Sequence, residues 1–382
     1  MLEGVQKIDF FISLRGGAST ISRKMRKKVL LGCCLGTLLC IVVLSSNHEL
    51  MQRVIPFFVN PPEDISCYVE TSAPGSLEVI LTTDVNDFPE DKNSPRASNN
   101  IFFHETSCFG DEGITLTPRQ ACAVESAARM NPTMQVYLLV LSHSNFSVVT
   151  KEIVEALSAY KNVKIRRIFM EEYVKNTPLE EWWASGILRT SKWPRSHMSD
   201  ILRYLTLWKF GGIYLDLDVV VTTSLEKLTN FAGAEDWEDV AAGVLGFGMS
   251  GLGRRIADAC LRDLKKNFRG DVWGNNGPGV ITRTLQKLCA TKYARDMTTK
   301  RCRGFTVYPP SSFYPIHYKK WKLYFDENEK NTTMTIINRA LAIHVWNKLS
   351  GSEVISPPSN VPYATVASEF CPKIYSRSGK FF

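Results

Sequence analysis

The chain has 382 residues, 44% of them hydrophobic and 22% charged, with a formal net charge of +8. This is the composition of an ordinary globular protein with one large domain or two small ones, and it excludes a low-complexity or disordered chain. Seven Lys/Arg (Lys7, Arg15, Arg23, Lys24, Arg26, Lys27, Lys28) fall in residues 1–28 against Glu3 and Asp9, so the basic balance is mostly a tail effect. It speaks for membrane topology and against a nucleic-acid partner.

In chain order, residues 29–44 read VLLGCCLGTLLCIVVL, an uncharged and mostly apolar run. At roughly 1.5 Å per residue it is near the lower limit for spanning a bilayer. The basic cluster before it and the absence of one after it keep the N-terminus cytoplasmic and place the rest in the lumen. The expectation is a single-pass type II anchor over 29–45 behind a 1–28 tail. No small-residue cleavage site of the A-x-A kind follows the run, which disfavours a removed signal peptide. Residues 46–97 are rich in proline and polar residues, with Pro56, Pro61, Pro62, Pro74, Pro89 and Pro95, and read as a stem.

From residue 98 onward strands and helices alternate. The pattern predicts strands at Ile101–His104, Gln135–Leu141 and Val163–Phe169, and helices at Pro118–Met130 and Lys151–Tyr160. Alternation of this kind argues an α/β domain over 98–382 with a mostly parallel sheet. Ligands of such sheets bind beyond the carboxyl ends of the strands. His104-Glu105-Thr106-Ser107 sits at one such end.

The stretch SDILRYLTLWKFGGIYLDLDVVV, residues 199–221, is the most informative. A helix carries Asp200 and Arg203 at i,i+3, so their side chains share an edge. Gly211-Gly212 ends it, and a strand beginning at Ile213 follows. A side-chain period of two puts Tyr214, Asp216 and Asp218 on one face of that strand. Two carboxylates aimed together at the end of an apolar strand are unfavourable in a core, and become favourable around a divalent cation with an anionic ligand. A hard cation there neutralises a departing diphosphate.

Further on, Val240–Met249 reads as a central strand and Arg254–Phe268 as an amphipathic helix. Trp273-Gly-Asn-Asn-Gly-Pro-Gly forms a loop leading into a helix at Val280–Cys289; its amides and Trp273 suit sugar recognition. Ala340–Trp346 reads as a late strand with His344 and Trp346 on one face, His344 being a candidate metal ligand and Lys348 a candidate contact to a diphosphate oxygen. Asn145-Phe-Ser and Asn331-Thr-Thr are glycosylation sequons. Seven cysteines lie beyond the anchor, with Cys108–Cys122 and Cys289–Cys302 as short-loop disulfide candidates and an odd one left over.

The 199–221 stretch, together with NIFFHETS (100–107), ACAVESAAR (121–129), WGNNGP (273–278) and HVWNK (344–348), resembles the Golgi α-1,4-glycosyltransferases with a DXD sugar-nucleotide-binding region. The resemblance covers most of the chain beyond about residue 98. It implies a GT-A nucleotide-sugar-binding fold and a Golgi membrane location. It implies retaining transfer of galactose or N-acetylgalactosamine from a UDP-sugar to a terminal galactose or hexosamine of a glycosphingolipid. The cofactor implied is Mn²⁺, with Mg²⁺ as the alternative, held by Asp216, Asp218 and His344. Asp200, Arg203, Tyr214, Thr106, Trp273, Gly277, Trp346 and Lys348 are the implied substrate contacts. A double displacement needs a group below the anomeric carbon, for which family position offers Asn275 and Asn276. Another donor on a glycoprotein glycan, a catalytically inactive Golgi sugar-binding protein, and assembly into homo- or hetero-oligomers all stay open. A glycosidase does not, since Glu180-Glu181 lacks an opposed carboxylate.

Overall fold

The computed structural model describes residues 65–68, 99–107, 113–142 and 144–382. The expected tail (1–28), the expected anchor (29–45), Cys108 and the expected stem apart from 65–68 lie outside the described residues. Among the described residues no helix is long and apolar enough to cross a membrane.

A seven-stranded sheet forms the centre. Its strands are β1 (Asn100–Glu105), β2 (Gln135–Val140), β3 (Val163–Arg167), β4 (Gly212–Leu215), β6 (Phe231–Ala234), β7 (Val240–Phe247) and β8 (Thr306–Tyr308), in spatial order β3-β2-β1-β4-β7-β6-β8. The β1–β2, β2–β3, β1–β4 and β6–β8 pairs are parallel, while β7 runs antiparallel to both β4 and β6. A separate two-stranded ribbon joins β5 (Val219–Val221) to β9 (Ala342–His344), antiparallel, with Val219 opposite His344.

All six residues of β1 are buried, as expected for a strand covered on both faces. Alternation divides them. Ile101 and Phe103 enter one apolar core, while Phe102 enters a second core on the opposite face. The first core is covered by helix α1 (Pro118–Met130), which Thr117 and Gln120 cap reciprocally with Pro118 at its start. Helix α2 (Val148–Ser158) adds Val154 and Leu157 to it. The second core is covered by α3 (Pro194–Phe210), α4 (Gly251–Asn267) and α5 (Pro278–Cys289), through side chains such as Leu202, Leu205, Ile256 and Leu285.

The C-terminal helices α6 (Pro362–Phe370) and α7 (Pro372–Arg377) close over α1. The buried Glu125 carboxylate accepts the backbone N–H groups of Lys373 (3.0 Å) and Ile374 (2.8 Å) and the Tyr160 hydroxyl (2.5 Å). Cys122 bonds to Cys371, not to Cys108, because the helix face carrying Cys122 turns to the C-terminal segment, with Cα atoms 5.1 Å apart. The Cys289–Cys302 bridge is present, Cys67 is also disulfide-bonded, and Cys260 is free and buried.

Candidate active site

Helix α3 and strand β4 build the centre of the site. Asp200 and Arg203, one turn apart on α3, pair at 3.0 Å with their side chains almost fully covered. The helix ends where Gly211 (φ +61°) and Gly212 (φ +84°) take backbone conformations that L side chains rarely adopt. A Cβ at Gly212 would stand 2.5 Å from the Asn100 carbonyl oxygen, so glycine also lets β4 slot against β1.

The strand is shorter than its periodicity predicts. It stops at Leu215, and Asp216-Leu217-Asp218 form a turn, with the Val219 amide donating to the Asp216 carbonyl at 3.0 Å. The valines leave the large sheet because β9 offers them a partner of their own. Asp216 and Asp218 are therefore brought together by a turn between two sheets, not by the period of one strand. The Asp216 amide still donates to the Gly243 carbonyl of β7 (2.9 Å), and the Asp218 carbonyl accepts the Val345 amide (2.9 Å).

Each carboxylate commits one oxygen to the protein and leaves the other facing a shared gap. Asp216 Oδ1 takes the Tyr214 hydroxyl (2.6 Å) and Arg203 Nη1 (3.1 Å). Asp218 Oδ2 takes the Asn347 amide (2.9 Å). His344 Nε2 faces the other pair, 3.2 Å from Asp218 Oδ1 and 3.8 Å from Asp216 Oδ2. One ligand atom from each of the three lies within 4.8 Å of the others. His344 Nδ1 accepts the Trp346 amide at 3.2 Å, so the ligand-free tautomer carries its proton on Nε2. Coordination through Nε2 would move that proton and release Trp346, whereas the two carboxylates are ready as they stand.

The electrostatics follow from burial and neighbours. Asp216 is held well below the ordinary carboxyl range: burial is the largest single influence and opposes its charge, but Arg203, His344 and Tyr214 together outweigh it. Asp218 is pushed up by burial, with His344 opposing. Asp200 is raised to about 7 by burial, against Arg203, with Asp216 adding to the rise. For His344 burial lowers the value, yet Asp218 and Asp216 bring it above the ordinary imidazole value. Were all three carboxylates ionised and His344 deprotonated, as coordination of a cation requires, the guanidinium would leave two negative charges in a covered site. One divalent cation balances them, and an O,O,N donor set suits Mn²⁺ or Mg²⁺.

Gly243 and Tyr314 at the gap, and Asn347 beside Asp218, are not singled out by the sequence. A Cβ on Gly243 would lie 2.7 Å from Asp216 Oδ2, 3.1 Å from the Tyr314 hydroxyl and 3.2 Å from His344 Cδ2, so the missing side chain is what leaves the gap open. The Tyr314 hydroxyl is buried without a hydrogen-bond partner, and its ring packs against His344 at 5.4 Å. Asn347 Oδ1 is likewise buried and unpartnered. Buried polar atoms are rarely left unmatched, and the Tyr314 hydroxyl beside a charged gap points to a bound group. Asn347 could have been noticed within HVWNK; Tyr314 and Gly243 are adjacent to the triad only in space.

Of the sequence-predicted residues, the structure brings together Asp200, Arg203, Tyr214, Asp216, Asp218, His344, Trp346 and Gly277. The Trp346 ring is 4.1 Å from His344, though Trp346 itself is left-handed (φ +59°) and lies beyond the strand. Gly277 packs so closely on Asp200 that a Cβ would be 2.2 Å from Oδ1. Thr106 donates to the Arg195 carbonyl (3.2 Å). Trp273 is half exposed, and Lys348 is exposed. Asn276 is fully buried and clamps Arg269 through both amide atoms (2.9 and 2.8 Å). Asn275 bonds to the Asn267 carbonyl (2.7 Å) and to Arg283 (3.1 Å). Both amides are struts of the loop.

Comparison with known proteins supplies the family. Residues 117–235 match the glycosyltransferase sugar-binding region containing a DXD motif, and residues 249–378 match the alpha 1,4-glycosyltransferase conserved region. Rat lactosylceramide 4-alpha-galactosyltransferase is 33% identical over 282 residues, covering 73% of this chain and 76% of the relative. The chain belongs to the alpha 1,4-glycosyltransferase family. It is an enzyme with a mostly parallel sheet. Human alpha-1,4-N-acetylglucosaminyltransferase is 28% identical over 262 residues, covering 67% of this chain and 74% of the relative. Among solved structures, PaToxG glycosyltransferase aligns with a TM-score of 0.39 at 14% identity, covering 74% of this chain and 86% of that one. Galactosyltransferase LgtC aligns at 0.35 and 14%, covering 72% and 95%; both likenesses are too distant to place any residue.

Proposed function

We propose that the chain is a UDP-galactose-dependent, retaining α-1,4-galactosyltransferase acting on a terminal galactose of a glycosphingolipid, with Mn²⁺ as its cation. The observation that carries the reading is the Asp216–Asp218–His344 triad around the gap left by Gly243, in a chain whose relatives include lactosylceramide 4-alpha-galactosyltransferases. Asp216 Oδ2, Asp218 Oδ1 and His344 would hold the cation, which supplies Lewis-acid stabilisation of the departing diphosphate.

The chain's own groups do the rest. Arg203, fixed between Asp200 and Asp216 and bonded to the Ala242 carbonyl (2.9 Å), keeps Asp216 ionised and aimed at the gap. Tyr214 shares that task through its hydroxyl, and its ring packs under Arg203 at 4.8 Å. Tyr314 stays protonated, since burial raises it well above the ordinary phenol value, and so presents a donor. With Asn275 and Asn276 engaged in the loop, a front-face route without a covalent intermediate is the mechanism favoured for retention.

The proposed address is the Golgi membrane, with residues 29–45 as a type II anchor and the catalytic domain lumenal. The sequon residues Asn145 and Asn331 are both exposed, which is compatible with glycosylation there. The test follows UDP release from UDP-Gal, UDP-GalNAc and UDP-GlcNAc, with Mn²⁺ or EDTA, with and without lactosylceramide. Release confined to UDP-Gal and stimulated by the glycolipid is expected. Preference for UDP-GlcNAc would move the chain to the N-acetylglucosaminyl branch.

A further inference from the structure

Positive charge outside the active site is concentrated in one segment. Residues 250–305 contain thirteen Lys/Arg against four Asp/Glu, a net of nine positive charges in a chain whose total is +8. On α4, Arg255, Arg262 and Lys266 recur at i, i+7 and i+11, so they form one stripe. With Lys287 of α5 and Arg303 they line a groove of about 690 Å³. All five are exposed. Leu252, Ile256 and Leu288 supply apolar lining between them.

The groove has no acid free to neutralise this array. Its one carboxylate, Asp263, is buried (side chain 4% exposed) and is held by Arg283 at 2.6 Å and Lys287 at 3.4 Å. Asp258 and Asp271 pair instead with Arg254 (3.8 Å) and Arg269 (2.8 Å), which do not line the groove. None of the active-site residues lines it either. Lys287 has this one partial counter-charge; keeping Arg255, Arg262, Lys266 and Arg303 beside it with no counter-charge of their own among the described residues is unfavourable unless an anion meets them.

We propose that this groove is a docking surface for the acidic headgroups of a lipid bilayer. The α4 stripe extends over about 16 Å of helix, longer than a single phosphate or sulfate spans, so the matching anion is an array. Apolar lining beneath long basic side chains suits an interface, where the aliphatic stems lie on apolar surface and the charged heads meet the headgroups. The wall is continuous with the active site: Arg283 bridges Asp263 to Asn275 of the 273–277 loop, whose Gly277 rests on Asp200. Docking here would therefore hold the α4–α5 side of the site at the membrane, whatever the acceptor.

Ala259 lies in the middle of the stripe and is partly exposed, so Ala259→Cys places a spin label in the groove. The full chain is reconstituted into phosphatidylcholine vesicles with and without phosphatidylserine, and the label's accessibility to a soluble nickel chelate is read by power-saturation EPR. Each basic residue at an acidic surface is worth about fivefold in partitioning. Accessibility should fall several-fold with the acidic lipid only, recover as salt is raised, and recover in Arg255→Glu/Arg262→Glu/Lys266→Glu. The corresponding triple Gln variant, which places no new acid on the helix, should recover it too. Equal accessibility in both vesicle types would overturn the proposal. Protection by poly-glutamate but not by acidic vesicles would assign the groove to an acidic polypeptide and overturn it as well.

Discussion

Gly243→Ala is the most economical perturbation of the site. The added methyl would stand 2.7 Å from Asp216 Oδ2, inside the 3.0 Å that real Cβ contacts essentially never breach, and at 3.1–3.2 Å from Tyr314 and His344. Asp216 cannot retreat as a unit. Its Oδ1 is held by Tyr214 and Arg203, and its amide by the carbonyl of Gly243 itself. The carboxylate must rotate, taking Oδ2 out of the gap. Disturbing the support of a metal ligand typically weakens affinity about 10–100-fold. Adding one methyl to a packed interior costs about 1–3 kcal/mol. We therefore expect the Mn²⁺ dissociation constant, read by EPR titration of the purified full-length protein, to rise about 10–100-fold while the thermal transition falls by only a few degrees. UDP release should fall in parallel. A folded variant with unchanged Mn²⁺ affinity and turnover would refute the geometry argued for Asp216.

Three other outcomes follow from the structure. Tyr314→Phe deletes a buried hydroxyl that has no partner, so a purely structural role predicts equal or higher stability; we expect that stability together with roughly tenfold weaker UDP binding by calorimetry, and equal UDP affinity would remove Tyr314 from the site. Glu125→Ala strands two backbone amides and the Tyr160 hydroxyl, and urea unfolding should show a loss of about 2–4 kcal/mol, whereas less than about 1 kcal/mol would mean the C-terminal helices hold without it. His104 is depressed from 6.5 to about 3, by burial first and Arg203 second. The unfolded chain binds a proton below 6.5 that the folded chain refuses until about 3, so this contribution is intact above 6.5 and declines by about 1.4 kcal/mol per pH unit as pH falls through that window. His104→Gln should flatten that limb, and an unchanged pH profile would dissociate the acid lability from this ring.

Much of the fold was legible because local physics decided it. The helix at Pro118–Met130 carried its cap and its proline in sequence, and the apolar strands at 100–105 and 135–140 were bounded by turn residues. Asp200 and Arg203 met as their spacing required. The site was less legible where a competing long-range partner existed. The alternation through Ile213–Val221 promised one strand, but pairing with β9, more than 120 residues away, drew the valines into a second sheet and bent the chain at Asp216–Asp218. Cys122 likewise bonded 249 residues away, since loop length in sequence says little about which helix faces meet. The WGNNGP amides looked available because sequence does not reveal hydrogen-bond partners; Arg269 and Asn267 had already taken them.

By itself, then, the sequence determined most element types and the chemical identity of the carboxylates and His344, which depend on side chains a few residues apart, while helix ends such as Val148 and Gly251 lay up to three residues from where the pattern put them. Tertiary structure alone decided which oxygen of each carboxylate is free, which glycine leaves the gap and which tyrosine overlooks it. Those features arise where β4, β7, the turn before β5 and the segments around 314 and 344 converge, and no spacing along the chain encodes that convergence.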